Sequence, residues 1–86
     1  MALRIFANHA HVFPESVNPN GTIPRLLRLL DACGIERAVC FAPFSNQLKG
    51  TGIDHNAWLA RELSTQSRLV GFGTLDLSRN DVKDQV

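Results

Sequence analysis

The fold of this chain is constrained most by residues 22–42, where a helical pattern ends at a glycine and runs directly into a strand pattern. Apolar side chains recur there at the i, i+3, i+4, i+7 spacing of one helix face, at Ile23, Leu26, Leu27 and Leu30. Pro24 suits the first helical turn, because its missing N–H costs no hydrogen bond there, and Gly34 suits the C-terminal stop. The pattern therefore predicts a helix over 22–34 and, immediately after it, a strand over 35–42.

Strand and helix patterns also alternate over the rest of the chain. The other predicted elements are a strand at 3–11, a helix at 53–67 that Asp54 caps, a strand at 68–77 and the opening turns of a further helix at 78–86. This order predicts an α/β fold, a parallel βαβαβ(α) unit in one domain over residues 1–86. Both crossover helices would cover the same face of the sheet, so the other face would stay bare unless further strands closed a barrel.

The composition and charge of the chain argue against several classes of protein. With 44% hydrophobic residues, 20% charged residues and a net charge of +1, the chain is typical of globular proteins and lacks a basic surface for nucleic acid. No stretch approaches the roughly 20 apolar residues that cross a bilayer. Asn8, His9 and His11 interrupt the N-terminal apolar run, unlike in a secretory signal. We therefore expect a cytoplasmic protein that binds neither nucleic acid nor membrane.

The two cysteines fit a reducing compartment. Cys33 lies at the end of a predicted helix and Cys40 lies inside a predicted strand, and their spacing matches neither a CxxC motif nor a zinc ribbon. We expect two buried free thiols, which is consistent with a cytoplasmic location.

The segment NHAHVFP (8–14) carries the pattern that most strongly indicates chemistry. Side chains alternate along a strand, so His9 and His11 project the same way and their imidazoles can share one divalent metal ion. Their position also fits, because ligands of parallel α/β proteins gather at the C-terminal ends of strands. The alternative is a pair of histidines that hydrogen-bond to the loop backbone. Two ligands are also fewer than the three protein ligands of a usual catalytic zinc site.

Four further residues invite a functional interpretation but favour structural ones. His55 follows the predicted cap of the second helix and is expected to be a solvated residue of the first turn. Gly71 and Gly73 lie inside a strand pattern, where they favour close packing of the backbone over phosphate binding. Asp76 is expected to serve a turn or to cap the next element of the chain.

Three stretches of the chain together resemble a known enzyme family. They are IFANHAHVFP (5–14), LLRLLDACGIERAVCFAP (26–43) and NAWLARELSTQSRLVGFGTLDL (56–77). The first is similar to the opening strand and HxH motif of the amidohydrolase superfamily, in its amidohydrolase-related (amidohydrolase-2) branch. The second resembles that family's first helix and second strand, and the third resembles its second helix and third strand. The HxH motif is the specific part of the resemblance.

The resemblance implies a TIM (β/α)8 barrel, of which these residues supply the first three strands. Such a barrel needs roughly 250 residues, so about a third of it is present. His9 and His11 match the HxH metal ligands, with zinc as the expected divalent ion and manganese as the alternative. The family usually carries an aspartate two residues before the first histidine. This chain has Ala7 there, and its side chain is expected to point the same way as the histidines.

Aromatic residues that come after the strands of such a barrel lie on its substrate side. Phe13, just after the HxH motif, is the predicted substrate-binding residue. Phe41, Pro43 and Phe44, around the end of the second strand, are expected either to line the same apolar pocket or to pack in the core.

The function implied is the N-terminal part of a metal-dependent hydrolase, in which metal-activated water attacks a carbonyl or lactone carbon of a small-molecule substrate. A decarboxylase of the same family, a carbon–carbon lyase with the same metal cradle, is the alternative. No catalytic acid or base is assigned within these residues, so the chain alone is expected to be inactive. A third hypothesis is a non-catalytic, truncated α/β module that self-associates, or a chain that a second polypeptide complements.

Overall fold

A three-stranded parallel sheet with both helices against one face forms the fold, in a computed structural model that describes residues 4–78. In chain order the elements are β1 (Ile5–His11), α1 (Ile23–Cys33), β2 (Ile35–Phe41), a short 3₁₀ helix (Ser45–Leu48), α2 (His55–Leu63) and β3 (Leu69–Phe72). The strands lie in the order β1-β2-β3, and both pairs are parallel. The predicted α/β fold is therefore confirmed. The helix predicted over 78–86 lies outside the described residues, apart from Ser78.

Helix α1 begins and ends close to where the sequence predicts. Pro24 lies in its first turn, and Gly34 follows the last turn with a φ of 69°, a left-handed conformation that glycine adopts without strain. The Gly34 N–H donates to carbonyl oxygens of the last turn, which satisfies the end of the helix. Thr22 precedes the helix in an extended conformation, but its side chain makes no capping hydrogen bond. The glycine stop lets β2 begin at Ile35 without an intervening loop.

Helix α2 and strand β3 are both shorter than predicted. Asp54 caps α2 as expected, since its carboxylate accepts a hydrogen bond from the Ala57 N–H over 3.1 Å. After the helix, the Ser64 hydroxyl donates to a carbonyl of the last turn over 2.7 Å, and residues 64–68 are not helical. Strand β3 then has four residues.

The core lies between the helices and one face of the sheet. Ala38 and Cys40 of β2 are fully buried there, in one apolar cluster with Leu30 of α1. Gly71 of β3 lets α2 approach closely, because a methyl group placed on it would lie 2.8 Å from Leu63 Cδ1. The expected role of this glycine in close packing is therefore confirmed.

Neither helix covers the other face of the sheet, which we call the open face. It carries four ring-bearing side chains that contact one another: His9, His11, Phe41 and Phe72. Phe72 is 51% exposed, although a phenylalanine is usually buried. The bare face that the crossover pattern predicts is therefore present in the part of the chain that the structure describes.

A bulge in β1 decides which of its side chains reach the open face. Between the pairs Ala7–Ala38 and Ala10–Cys40, β1 contains one more residue than β2. Ala7 consequently packs against the core beneath the helices, while the histidines lie on the open face. The expectation that Ala7 points the same way as the histidines is wrong, because the extra residue reverses the alternation. An aspartate at this position would not stand beside the imidazoles.

Candidate metal-binding site

The last residues of β1 carry two imidazoles on the open face. His9 and His11 are both exposed and are two positions apart in the strand. Both come after Ala7, where the bulge begins. Their side chains project in the same direction, as the period of a strand requires. They also lie at the C-terminal end of a parallel strand, which is where α/β proteins commonly bind ligands. The structure therefore brings these two predicted residues together.

The two imidazoles converge through their Nε2 atoms. These atoms lie 2.9 Å apart, and the ring centroids lie 4.8 Å apart in a T-shaped arrangement at 68°. At this separation, the N–H of one ring donates to the lone pair of the other. When both rings carry their proton on Nδ1, two lone pairs face each other, an arrangement that a cation between them stabilises.

The separation of the two nitrogens is slightly shorter than a shared metal ion requires. Two imidazole nitrogens on a tetrahedral zinc, each about 2.0–2.1 Å from the ion, stand about 3.3–3.4 Å apart. The observed 2.9 Å falls short of that by about 0.4–0.5 Å, a change that small side-chain rotations of exposed residues can supply. Imidazole donors also suit zinc better than manganese, which prefers oxygen ligands.

Phe41 lies beside both imidazoles on the open face. Its ring centroid is 4.6 Å from that of His9 and 5.8 Å from that of His11. Phe41 was expected to line a pocket or to pack in the core, and it lies on the side of the sheet away from the helices. Its contacts restrict the imidazole rings and make one side of the pair apolar.

Phe72 is a neighbour of this site that the sequence patterns above do not single out. Its ring meets Phe41 edge to face, with centroids 5.7 Å apart. The signal that could have found it is the alternation of Gly71, Phe72 and Gly73. Two glycines on the helix side leave the phenylalanine as the side chain that projects to the opposite face.

The structure places Phe13 away from the open face. Its N–H donates to the Gly21 carbonyl over 2.8 Å, and its ring lies against Gly21. Phe13 borders a groove formed by the loop after β1, the start of α1 and Trp58, on the side of the sheet that the helices cover. Of the residues after β2, Pro43 is buried and Phe44 is exposed. Phe13 and the imidazoles are therefore not brought into one pocket in the described part of the chain.

His55 is a structural residue in the interior, and the interpretation as a solvated residue is wrong. It is buried, and its Nε2–H donates to the Thr74 carbonyl over 3.0 Å. Asn56 holds the same segment, because its side chain donates to the Thr74 carbonyl over 2.9 Å and accepts from the Thr74 N–H over 2.8 Å. Together these bonds tie the chain after β3 to the start of α2. Sequence patterns do not reveal such a contact, since it joins positions 18 and 19 residues apart.

Residues 4–78 contain no group of three histidine, cysteine, aspartate or glutamate side chains close enough to hold a metal ion. Asp76 accepts hydrogen bonds from the N–H and hydroxyl of Ser78 over 3.0 Å and 2.6 Å, in the turn role that was expected. The described part of the chain therefore brings two imidazoles together, and a four-coordinate zinc bound there would need further donors.

The two thiols have different environments. Cys40 is fully buried as predicted, and burial raises the pKa of its thiol to about 11. Cys33 is exposed at the end of α1, so the expectation of two buried thiols is wrong for this residue. Cys33 is the last residue of α1, one turn beyond buried Leu30, and the core cluster includes no residue of this helix after Leu30.

Comparisons with known proteins identify no relative: no family model, no curated protein and no solved structure matches the chain. Within residues 4–78, no helix has both the length and the apolar character needed to cross a bilayer.

Proposed function

We propose that the chain is the N-terminal part of a metal-dependent hydrolase of the amidohydrolase-related type, in which His9 and His11 ligate the metal ion. The observation that carries this proposal is the convergence of the two Nε2 atoms to 2.9 Å at the C-terminal end of β1. The resemblance of the HxH segment to the first strand of that family supports it. Zinc is the proposed ion, because its preferred ligand types include the two donors at hand.

The open face supports the further proposal of a (β/α)8 barrel. In such a barrel one face of the sheet turns inward and is filled by large side chains, while helices cover the other face. The described strands have this division, with Phe41 and Phe72 on the face away from the helices. The remaining strands, the other metal ligands and the catalytic acid or base would come from outside residues 4–78.

When bound, the ion would lower the pKa of a water molecule and polarise a carbonyl or lactone of a small-molecule substrate. The role of this chain would be to hold the metal ion and to orient its imidazole ligands. His9 and His11 present their Nε2 atoms to the ion, and the Phe41 ring beside them keeps one side of the pair apolar. Within residues 4–78 no further histidine, cysteine, aspartate or glutamate joins the pair, so these residues alone should have negligible turnover.

The test is zinc binding by the purified chain, measured by calorimetric titration and by metal analysis after dialysis. His9→Ala and His11→Ala should each weaken zinc binding by at least about tenfold, and the double variant should abolish it. Loss of a group that only orients a metal ligand already weakens metal binding by about 10–100-fold, and loss of a ligand should cost at least as much. Asn8→Ala is the matched control, because Asn8 is exposed in the same strand. A double variant that retains as much zinc as the unaltered chain would overturn the ligand assignment.

A non-catalytic module that self-associates is the second candidate. The observation that favours it is the exposure of Phe72, half of which faces solvent beside Phe41. In the described sheet, β1 and β3 each form strand hydrogen bonds only with β2, so both outer edges of the sheet are open. Light scattering without metal tests this candidate, and a stable monomer in the presence of a chelator would count against it.

A further inference from the structure

The two imidazoles on the open face are half of the four ligands that zinc takes in a closed site, and a second copy of the chain would carry an identical pair. We infer that the 86-residue chain, as a separate polypeptide, forms a zinc-dependent dimer in which His9 and His11 of two copies ligate one ion. This inference rests on the proposed function, because it requires the two histidines to be metal ligands.

The number of ligands supports a pairing of two copies. Zinc in closed protein sites takes four ligands in a tetrahedron, and a twofold axis through the ion supplies two from each copy. Both imidazoles are exposed on the open face, so a second copy can approach them from solvent. Their Nε2 atoms already converge to 2.9 Å, so each copy presents a preformed pair.

Nearby donors of the same chain do not complete the site within residues 4–78. His55 is buried, and its Nε2–H is engaged by the Thr74 carbonyl. Cys40 is buried on the helix side of the sheet, where its thiol keeps its proton at neutral pH. No third metal-binding side chain of the described residues lies with the histidines. Two further ligands therefore have to come from elsewhere, and an identical pair satisfies the requirement.

The size of the open face explains why the dimer should depend on zinc. Two strands of seven residues and one of four, about 4.8 Å apart and at about 3.3 Å per residue, cover about 290 Å². A stable interface buries about 800 Å² of each partner, so this face is too small to hold a dimer by itself. Contact between Phe41 and Phe72 rings of two copies would add to the metal bonds without replacing them.

The experiment measures mass and zinc content together. Sedimentation velocity or light scattering should give a monomer of 9.5 kDa with a chelator and twice that mass with zinc. Zinc titration should saturate at half an equivalent per chain, and added chelator should restore the monomer. The unaltered chain suffices for this comparison, so no variant has to fold for the test to be decisive.

Variants then assign the ligands. His9→Ala and His11→Ala should each abolish both the zinc-dependent doubling of mass and the half-equivalent stoichiometry. Asn8→Ala should preserve both, because it leaves the imidazoles in place. Phe72→Ser should weaken the zinc-loaded dimer roughly tenfold and keep the half-equivalent stoichiometry at saturating zinc, as expected for a contact beside the ligands.

Three outcomes would overturn the inference, and each is distinct. One zinc per monomeric chain would reject the dimer but keep the histidines as ligands, and would point to a donor such as Asp81 or Asp84. A dimer that persists in chelator would reject zinc dependence and support self-association. A chain that binds no zinc would reject this inference and the proposed function together.

Discussion

The two faces of the sheet follow opposite rules. On the covered face the strands carry several small residues, such as Ala38, Cys40 and Gly71, beside the larger Leu69, and leucines of α2 lie close above Gly71. On the open face the strands carry large rings, Phe41 and Phe72 beside the two imidazoles, and no helix lies above them within residues 4–78. The covered face is built for packing. On the open face, the exposed side chains bury little surface and so add little to the stability of the described residues. They remain accessible to a ligand or a partner, as a binding surface requires.

The largest expected contrast between the faces is in the cost of truncating an apolar side chain. Leu30 is 2% exposed in the core, so Leu30→Ala should lower the free energy of unfolding by about 2–5 kcal/mol. Phe72→Ala removes a larger side chain from the open face but should cost less than about 1 kcal/mol. Urea denaturation followed by circular dichroism measures both. Equal costs would mean that the open face is packed in solution.

Thiol reactivity tests the burial of the covered face, where Cys40 lies. Because the pKa of buried Cys40 is raised from 9.0 to about 11, its thiolate fraction at pH 8 is about 100-fold below that of an ordinary thiol. Cys33 should react with a thiol reagent at least about 100-fold faster than Cys40, because the reagent reaches an exposed thiol directly, whereas Cys40 is buried and keeps its proton. Mass spectrometry of the labelled peptides measures both rates, and denaturant should remove the difference. Similar rates in the folded chain would contradict the burial of Cys40.

The raised pKa of Cys40 also fixes the sign of a pH effect. Between pH 9 and about 11 the folded state keeps the thiol proton while the unfolded state loses it, so stability should fall as pH rises across this window. Urea denaturation at several pH values measures this fall. Cys40→Ala provides the control, since the difference in stability between the two chains should change only there.

The smallest expected effect is on the open face itself. Because both histidines are exposed, the double substitution of His9 and His11 by alanine should change the metal-free stability by no more than about 0.5 kcal/mol. Urea denaturation in the presence of a chelator measures this change. A loss above about 2 kcal/mol would show that the pair serves the fold, as in the alternative of histidines that bond to backbone, and would remove the contrast between the faces.

Local patterns in the sequence predict much of the fold and part of the site. The stop at Gly34, the cap at Asp54 and the order of elements depend on neighbouring residues, so they can be read along the chain. The shared direction of His9 and His11 follows from the strand period alone. Helix ends and strand lengths were less accurate, because α2 and β3 stop where turn hydrogen bonds compete with regular structure.

Other features depend on contacts between distant residues and were missed. The side of the sheet on which Ala7 lies depends on how β1 pairs with β2, and one extra residue reverses it. His55 is buried because Thr74 lies above it, and Phe72 joins the site because β2 places Phe41 between it and the imidazoles. Each of these is a long-range contact that no local pattern encodes.

Local sequence patterns were enough to specify an α/β chain with parallel strands and two imidazoles that project together, because helix and strand periods and glycine stops act over a few residues. The convergence of the imidazoles to 2.9 Å beside Phe41, on a face without helices in the described residues, arises only when the strands pair. Strand register, and with it the bulge in β1, is fixed by hydrogen bonds between strands and by burial of one face, and neither acts within a single segment.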